Sequence, residues 1–361
     1  MEIGHVILVL SIILPSHVHG KLKIQAIYQF GDSISDTGNL IREGSNGANS
    51  PFAKLPYGQT YFHIPTGRCS DGLLIIDYFA QALKLPFLDA FLNKNGNFSH
   101  GVNFAVAGST ALNTETLAAK NIMSPMTNSS LSVQLRWFKS HLSSICSRPS
   151  DCKHKLANSL FIIETGGNDF NYAFSQFMPM HLVRQLVDQV VLTISSAVTE
   201  VISLGATRVI VPGNFAIGCM PVYLTGFETS DSMMYDNMKC LQNLNEFAMF
   251  QNSRLQQALA KLQKHNPNVT IVYSDYFNAM KDLLQDAPSH GFEKRNVYKA
   301  CCGFGENDYN YDMSRMCGND GVPVCAYPQN YVSWDGIHMT QAAYKFMANT
   351  LLNKILPKIS H

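Results

Sequence analysis

Short apolar runs alternate along the chain with longer stretches of helical period. The runs "IQAIYQF" (24–30), "VNFAVAG" (102–108), "SLFIIE" (159–164), "RVIVPG" (208–213) and "VTIVYSDY" (269–276) read as buried strands. Between and after them, apolar residues recur at helical spacing over 71–83, 132–145, 180–205, 244–266 and 340–356. Ser70 is placed to cap the first of these helices, Gly205 to stop the third and Thr340 to cap the last. Strands without polar alternation, separated by helices, indicate βα units: an α/β fold with a parallel sheet covered on both faces. No repeat and no linker-like segment interrupts the pattern, so 21–361 is read as a single domain. Residues 285–335 form its irregular part.

Residues 6–14, "VILVLSIIL", are too few to span a bilayer. With "PSHVHG" after them they read as a signal peptide, residues 1–20, cut near Gly20. The segment before the run carries no Lys or Arg. No later segment reads as transmembrane, so no stable membrane association is expected after cleavage. Only 15% of residues are charged and the net charge is +1, which argues against a nucleic-acid partner. Three sequons, at Asn97, Asn128 and Asn268, fit the secretory route. The destination implied is extracellular (the apoplast) or the vacuole.

Nine cysteines suit an oxidising compartment, and an odd number leaves one thiol over. Cys146 and Cys152 can close one small loop, and Cys219 and Cys240 another. Cys301, Cys302, Cys317 and Cys325 suit two further bridges of open connectivity. A zinc cluster is the rival reading of these four, but "CCG" lacks finger spacing. Cys69 remains.

In an open parallel sheet, sites form at the C-terminal ends of strands. Three strands here run into small polar clusters: "GDSIS", "AGST" and "GGND". Ser33 in the first is a candidate nucleophile, which needs a base and a carboxylate to orient that base. "SWDGIHMT" supplies Asp335 and His338 three residues apart, ahead of the last helix. The backbone N–H groups of Ser33 and Gly108 and the side-chain amide of Asn168 are candidate oxyanion donors. Taken singly, D-x-x-H and "GGND" also read as ordinary turns. No third ligand near Asp335 and His338 suggests a metal, and no cofactor is expected.

Together, "FGDSISDTGN", "PYGQTYFHIPTGRCSDG", "GVNFAVAGST", "GGNDF", "ACCGFGENDYN" and "SWDGIHMTQAAY" resemble the GDSL, or SGNH, hydrolase superfamily. The likeness runs from about residue 24 to 356. It is closest to the plant GDSL esterase/lipase family, in the branch of acetylajmalan esterase- and sinapine esterase-like enzymes. The resemblance implies a three-layer α/β/α sandwich of the flavodoxin-like kind. It implies Ser33 as nucleophile, Asp335 and His338 as its partners, and Ser33, Gly108 and Asn168 as the oxyanion hole. The implied substrate is a small carboxylic ester of a plant specialised metabolite. An acyltransferase on the same residues, a lipase for longer acyl chains and an inactive binding protein are the alternatives. Ile34 replaces the leucine of the family motif, Met339 a common proline and Cys69 a common phenylalanine. The last change fits Cys69 as a buried free thiol.

Overall fold

The computed structural model describes residues 24–360, so the expected signal peptide lies outside the described residues. Five strands build one sheet: β1 (Ala26–Gly31), β2 (Gly101–Asn103), β3 (Ser159–Glu164), β4 (Arg208–Pro212) and β5 (Thr270–Ser274). Their order is β2-β1-β3-β4-β5, and every pairing is parallel. The helices that matter below are α1 (Ile75–Ala82), α2 (Leu131–Ile145), α3 (Gly167–Ser175), α4 (Val187–Leu204), α5 (Gln242–His265), α6 (Tyr276–Gln285) and α7 (Gln341–Ile359).

Alternation of side chains sends each strand's residues to opposite faces. On one face Tyr28, Phe30 and Phe161 set their rings 5.3, 5.5 and 5.6 Å from Phe138 of α2. On the other, Gln29, Ile162 and Ile210 share a small interior cavity with Ile75, Ile76 and Phe79 of α1. Helix α7 packs on both α1 and α6, and α4 on both α2 and α5. The result is an α/β/α sandwich, which explains why β1 to β4 are buried throughout.

Four expectations need correction. Ser70 does not cap a helix: its hydroxyl donates to the Met339 carbonyl (3.0 Å). The helix starts later, at Ile75, because Asp77 reaches back to accept from the Leu74 N–H (2.8 Å) while Arg68 clamps the same carboxylate. Strand 102–108 is cut to Gly101–Asn103; beyond it the chain still follows β1 through Phe104 N–H to Gln29 O and Val106 N–H to Gly31 O, as a buried loop. Helix 180–205 is two, Met180–Arg184 and α4, and the turn between them lets Val183 and Leu186 both enter the core. Finally, Met180–Leu204 is long and apolar enough to cross a membrane by length and composition. Its apolar residues Val187, Val190, Ile194, Val198 and Val201 are instead buried in the protein core.

Thr340 does cap α7, accepting from the Ala343 N–H (3.2 Å). The cysteines pair as Cys146–Cys152, Cys219–Cys240, Cys301–Cys325 and Cys302–Cys317. The last two are nested, and they hold the segment that borders residues 333–334: Cys301 N–H donates to Ser333 O (3.1 Å) and Cys302 N–H to Trp334 O (2.7 Å). Cys69 is a free thiol, fully buried in a small second core with Tyr57 and Trp334. Asn97, Asn128 and Asn268 are all exposed in loops.

Mass spectrometry of unreduced protein should therefore find four bridges, with Cys69 labelled only after unfolding. A disulfide at Cys69 would contradict the fold. Joint replacement of Cys302 and Cys317 by serine should lower stability by about 2–4 kcal/mol in urea denaturation.

Candidate active site

The ends of β1 and β3 abut closely. A Cβ on Gly31 would fall 2.2 Å from the Glu164 carbonyl oxygen, so only glycine lets these backbones approach. The side chain of Gln134, from α2, grips the same residue, accepting from Gly31 N–H (2.9 Å) and donating to its carbonyl (2.8 Å). From this anchored end the chain turns at once: Ser35 and Asp36 N–H both bond back to the Asp32 carbonyl. Ser33 sits on that turn, 9% exposed.

Asp36 fixes the turn to the loop beyond β2. Its carboxylate accepts from the N–H groups of Gly38, Asn39, Leu40 and Ala107. Asn39 adds donations to the carbonyls of Asn103 and Ala105 (both 2.8 Å). The loop so placed carries Gly108, where a φ of 82° and the 2.3 Å that would separate an added Cβ from Met126 Cβ both exclude a side chain. Asn168, in the first turn of α3, donates one amide hydrogen to the Ser109 carbonyl (2.9 Å). An amide nitrogen has two hydrogens, so the other stays available. Among the described residues, neither the Ser33 nor the Gly108 N–H has an acceptor. Ser33 and Asn168 line one cleft; Gly108 reaches it only through its neighbour Ser109.

His338 meets this turn from the far end of the sequence. Its Nε2 lies 2.8 Å from Ser33 Oγ and its Nδ1 2.7 Å from Asp335 Oδ2. A carboxylate accepts, so Nδ1 carries the hydrogen and Nε2 is left to accept from the serine hydroxyl. Asp335 is 1% exposed and fully partnered. Its Oδ1 accepts from the N–H of Ile337 (3.0 Å) and His338 (2.7 Å), and Tyr57 OH donates to Oδ2 (2.8 Å). Burial pushes its pKa up, but the charge of His338 and these donors outweigh burial and hold it below the usual carboxylate range. Tyr57 was invisible to motif reasoning as a functional residue, although it stands in the "PYG" stretch. Its contact spans 278 positions. Phe52 adds a ring edge against His338, with centroids 5.8 Å apart.

The site concentrates buried carboxyls. Burial pushes Asp36 up to about 6 despite its four backbone donors. It pushes Asp169 up to about 7, although the N–H groups of Ala111 and Leu112 bind it. A carboxyl whose folded pKa is raised takes up its proton more readily in the folded state. The stability it contributes is complete below the unfolded value and is lost as pH rises through 6 to 7. The thermal midpoint should therefore be higher near pH 5 than near pH 8. Carboxyls of ordinary pKa, already ionised at pH 5, would leave the midpoint without this fall.

Comparison with known proteins agrees with this architecture. Residues 27–351 match the GDSL-like lipase/acylhydrolase family. Acetylajmalan esterase 1 of Rauvolfia serpentina is 46% identical over 92% of this chain and 87% of its own length. GDSL esterase/lipase At1g28610 of Arabidopsis thaliana is 46% identical over 91% and 86%. Acetylajmalan esterase 2 of Rauvolfia serpentina is 44% identical over 92% and 91%. With a family match over nearly the whole described chain and relatives of this closeness, the chain belongs to the GDSL-like lipase/acylhydrolase family and is a carboxylic ester hydrolase.

Proposed function

We propose that the protein is a secreted serine esterase that hydrolyses a small ester of a plant specialised metabolite through an acyl-enzyme. The observation that carries this reading is the 2.8 Å contact of Ser33 Oγ with His338 Nε2, backed by the 2.7 Å contact to Asp335. Ser33 Oγ attacks the ester carbonyl carbon as its proton passes to Nε2. The charge that develops on the carbonyl oxygen meets the free N–H groups of Ser33 and Gly108 and the spare amide hydrogen of Asn168. The imidazolium, stabilised by Asp335, then protonates the departing alkoxide. Water attacks the acyl-enzyme by the same route and restores Ser33. The names of the relatives favour an acetyl ester of a plant metabolite. Four disulfides and three exposed sequons support glycosylation at Asn97, Asn128 and Asn268 and export to the apoplast or vacuole.

Ser33→Ala should fold and lose turnover by about 10⁴-fold or more, because serine, base and acid act as a unit. A folded Ser33→Ala protein with near-normal hydrolysis would sink the mechanism. Asn168→Ala should lower kcat by roughly 10²–10³-fold with little change in KM. A rise in KM alone would make Asn168 a substrate-binding residue instead.

A further inference from the structure

The cleft beside Ser33 contains an acidic pair that the proposed mechanism leaves unused. Asp32 follows β1 and Glu164 ends β3, the two strands at which the sheet order reverses and where ligands of such folds collect. Their carboxyl groups hydrogen-bond each other. Two adjacent carboxyls cannot both ionise, so the pair keeps one proton and one negative charge. Burial, then the charge of Asp32, pushes Glu164 well above the usual range, so Glu164 holds the proton and Asp32 the charge. Ser35 Oγ donates to Glu164 Oε2 (3.1 Å) and Ile34 N–H to Asp32 Oδ1 (3.0 Å), which fixes both side chains.

This charge has no resident counter-ion in the cleft. Asp32, Glu164 and Ser33 line it together, and no Lys or Arg does. The other polar lining groups are neutral and mostly engaged: Asn214 donates to Gln251 (2.9 Å) and Asn171 to Asn168 (3.1 Å). Burial raises Asp32 to about 6, against the Ile34 N–H and the charge of His338, which lower it, so it is still ionised at neutral pH. The next residue supplies an independent observation. Thr165 lines the same cleft, is 8% exposed, and its hydroxyl has no hydrogen-bond partner. A buried hydroxyl without a partner is costly, so a ligand that supplies one gains by it.

We propose that this cleft selects esters carrying a protonated amine, whose N–H is shared by the Asp32–Glu164 pair and the Thr165 hydroxyl. The inference rests on the esterase reading above. An ammonium group entering an enclosed site is costly unless it meets a charge there, and here one is waiting. A neutral group of the same shape would leave both the carboxylate and the hydroxyl unpaired.

The test compares matched esters at neutral pH. On the alcohol side these are 2-(dimethylamino)ethyl acetate and its neutral isostere 3-methylbutyl acetate. On the acyl side they are methyl 4-(dimethylamino)butanoate and methyl 5-methylhexanoate. In at least one pair the amine ester should show roughly tenfold to a hundredfold higher kcat/KM, the range of a charged hydrogen bond. Asp32→Asn should collapse that ratio towards one. Glu164→Gln should keep it, because glutamine still donates to Asp32 and leaves its charge in place. Thr165→Val should lower it by a smaller factor, and this variant decides the matter if Asp32→Asn fails to fold. Equal kcat/KM within both pairs, or a preference that survives Asp32→Asn, overturns the proposal. Hydrolysis of the neutral esters without preference would leave the esterase reading intact. A folded protein that hydrolyses no ester would overturn that reading itself.

Discussion

A carboxylate with almost no access to water must be satisfied by protein groups alone, and Asp335 is such a group. Its four donors come from Ile337, His338 twice and Tyr57. Two of them are backbone N–H groups of its own turn, so the carboxylate shapes the loop that aims the imidazole. The third holds the ring, and the fourth ties this turn to a segment near the start of the chain. Moving Asp335 would leave Tyr57 OH and two N–H groups without partners at once. The position of His338 relative to Ser33 is thus set by hydrogen-bond accounting around one oxygen pair, more than by the regular elements on either side.

The same device recurs at each loop of the site. Asp36 gathers four backbone N–H groups from two loops, and Asp169 takes the N–H groups of Ala111 and Leu112 beyond Gly108. Regular structure supplies a floor, the parallel sheet with its two helical layers. Buried acids then tie together loops that have no ladder of their own. This explains why a site made of turns can be nearly closed to solvent: its backbone donors find side-chain acceptors where a sheet would have offered carbonyls. The nested disulfides do related work on the opposite side, where residues 301–302 carry hydrogen bonds to residues 333–334.

Much of this was legible in the sequence, for identifiable reasons. Parallel strands are continuous apolar runs, and all five were visible as such, although the edge strand β5 is only partly buried. Thr340 capped its helix because nothing competes for its hydroxyl's acceptor role towards Ala343. Ser70 failed because Asp77, seven residues on, offered a stronger acceptor, held in place by Arg68. The strand expected at 102–108 was cut short because side chains take the backbone groups beyond Asn103: the Ala105 N–H goes to Asn103 Oδ1, the Ala105 carbonyl to Asn39 and the Ala107 N–H to Asp36. Tyr57 and Asp32 stand in quoted motifs, but nothing local reveals the contact of Tyr57 with Asp335 or of Asp32 with Glu164. Their meaning comes from partners far away in sequence, brought close only by the register of β1 with β3 and by the return of residues 333–338.

The arrangement also divides charge in a definite way. Asp335 is kept ionised by the charge of His338 and by donors on both oxygens, whereas Glu164 is kept protonated by burial beside Asp32. Both sit within one nearly closed site, and both are as buried as core leucines. What separates them is first the charge beside each, and then the donors: Asp335 faces His338 and has two donors on each oxygen, while Glu164 faces the negative charge of Asp32 and has only the Ser35 hydroxyl and the Asp32 N–H. A site can therefore hold a fixed anion behind the imidazole and a shared proton beneath the serine turn at the same pH. The imidazole then works between two anions of different firmness. One is locked behind it by four hydrogen bonds, and the other opens onto the cleft where a substrate group must complete it.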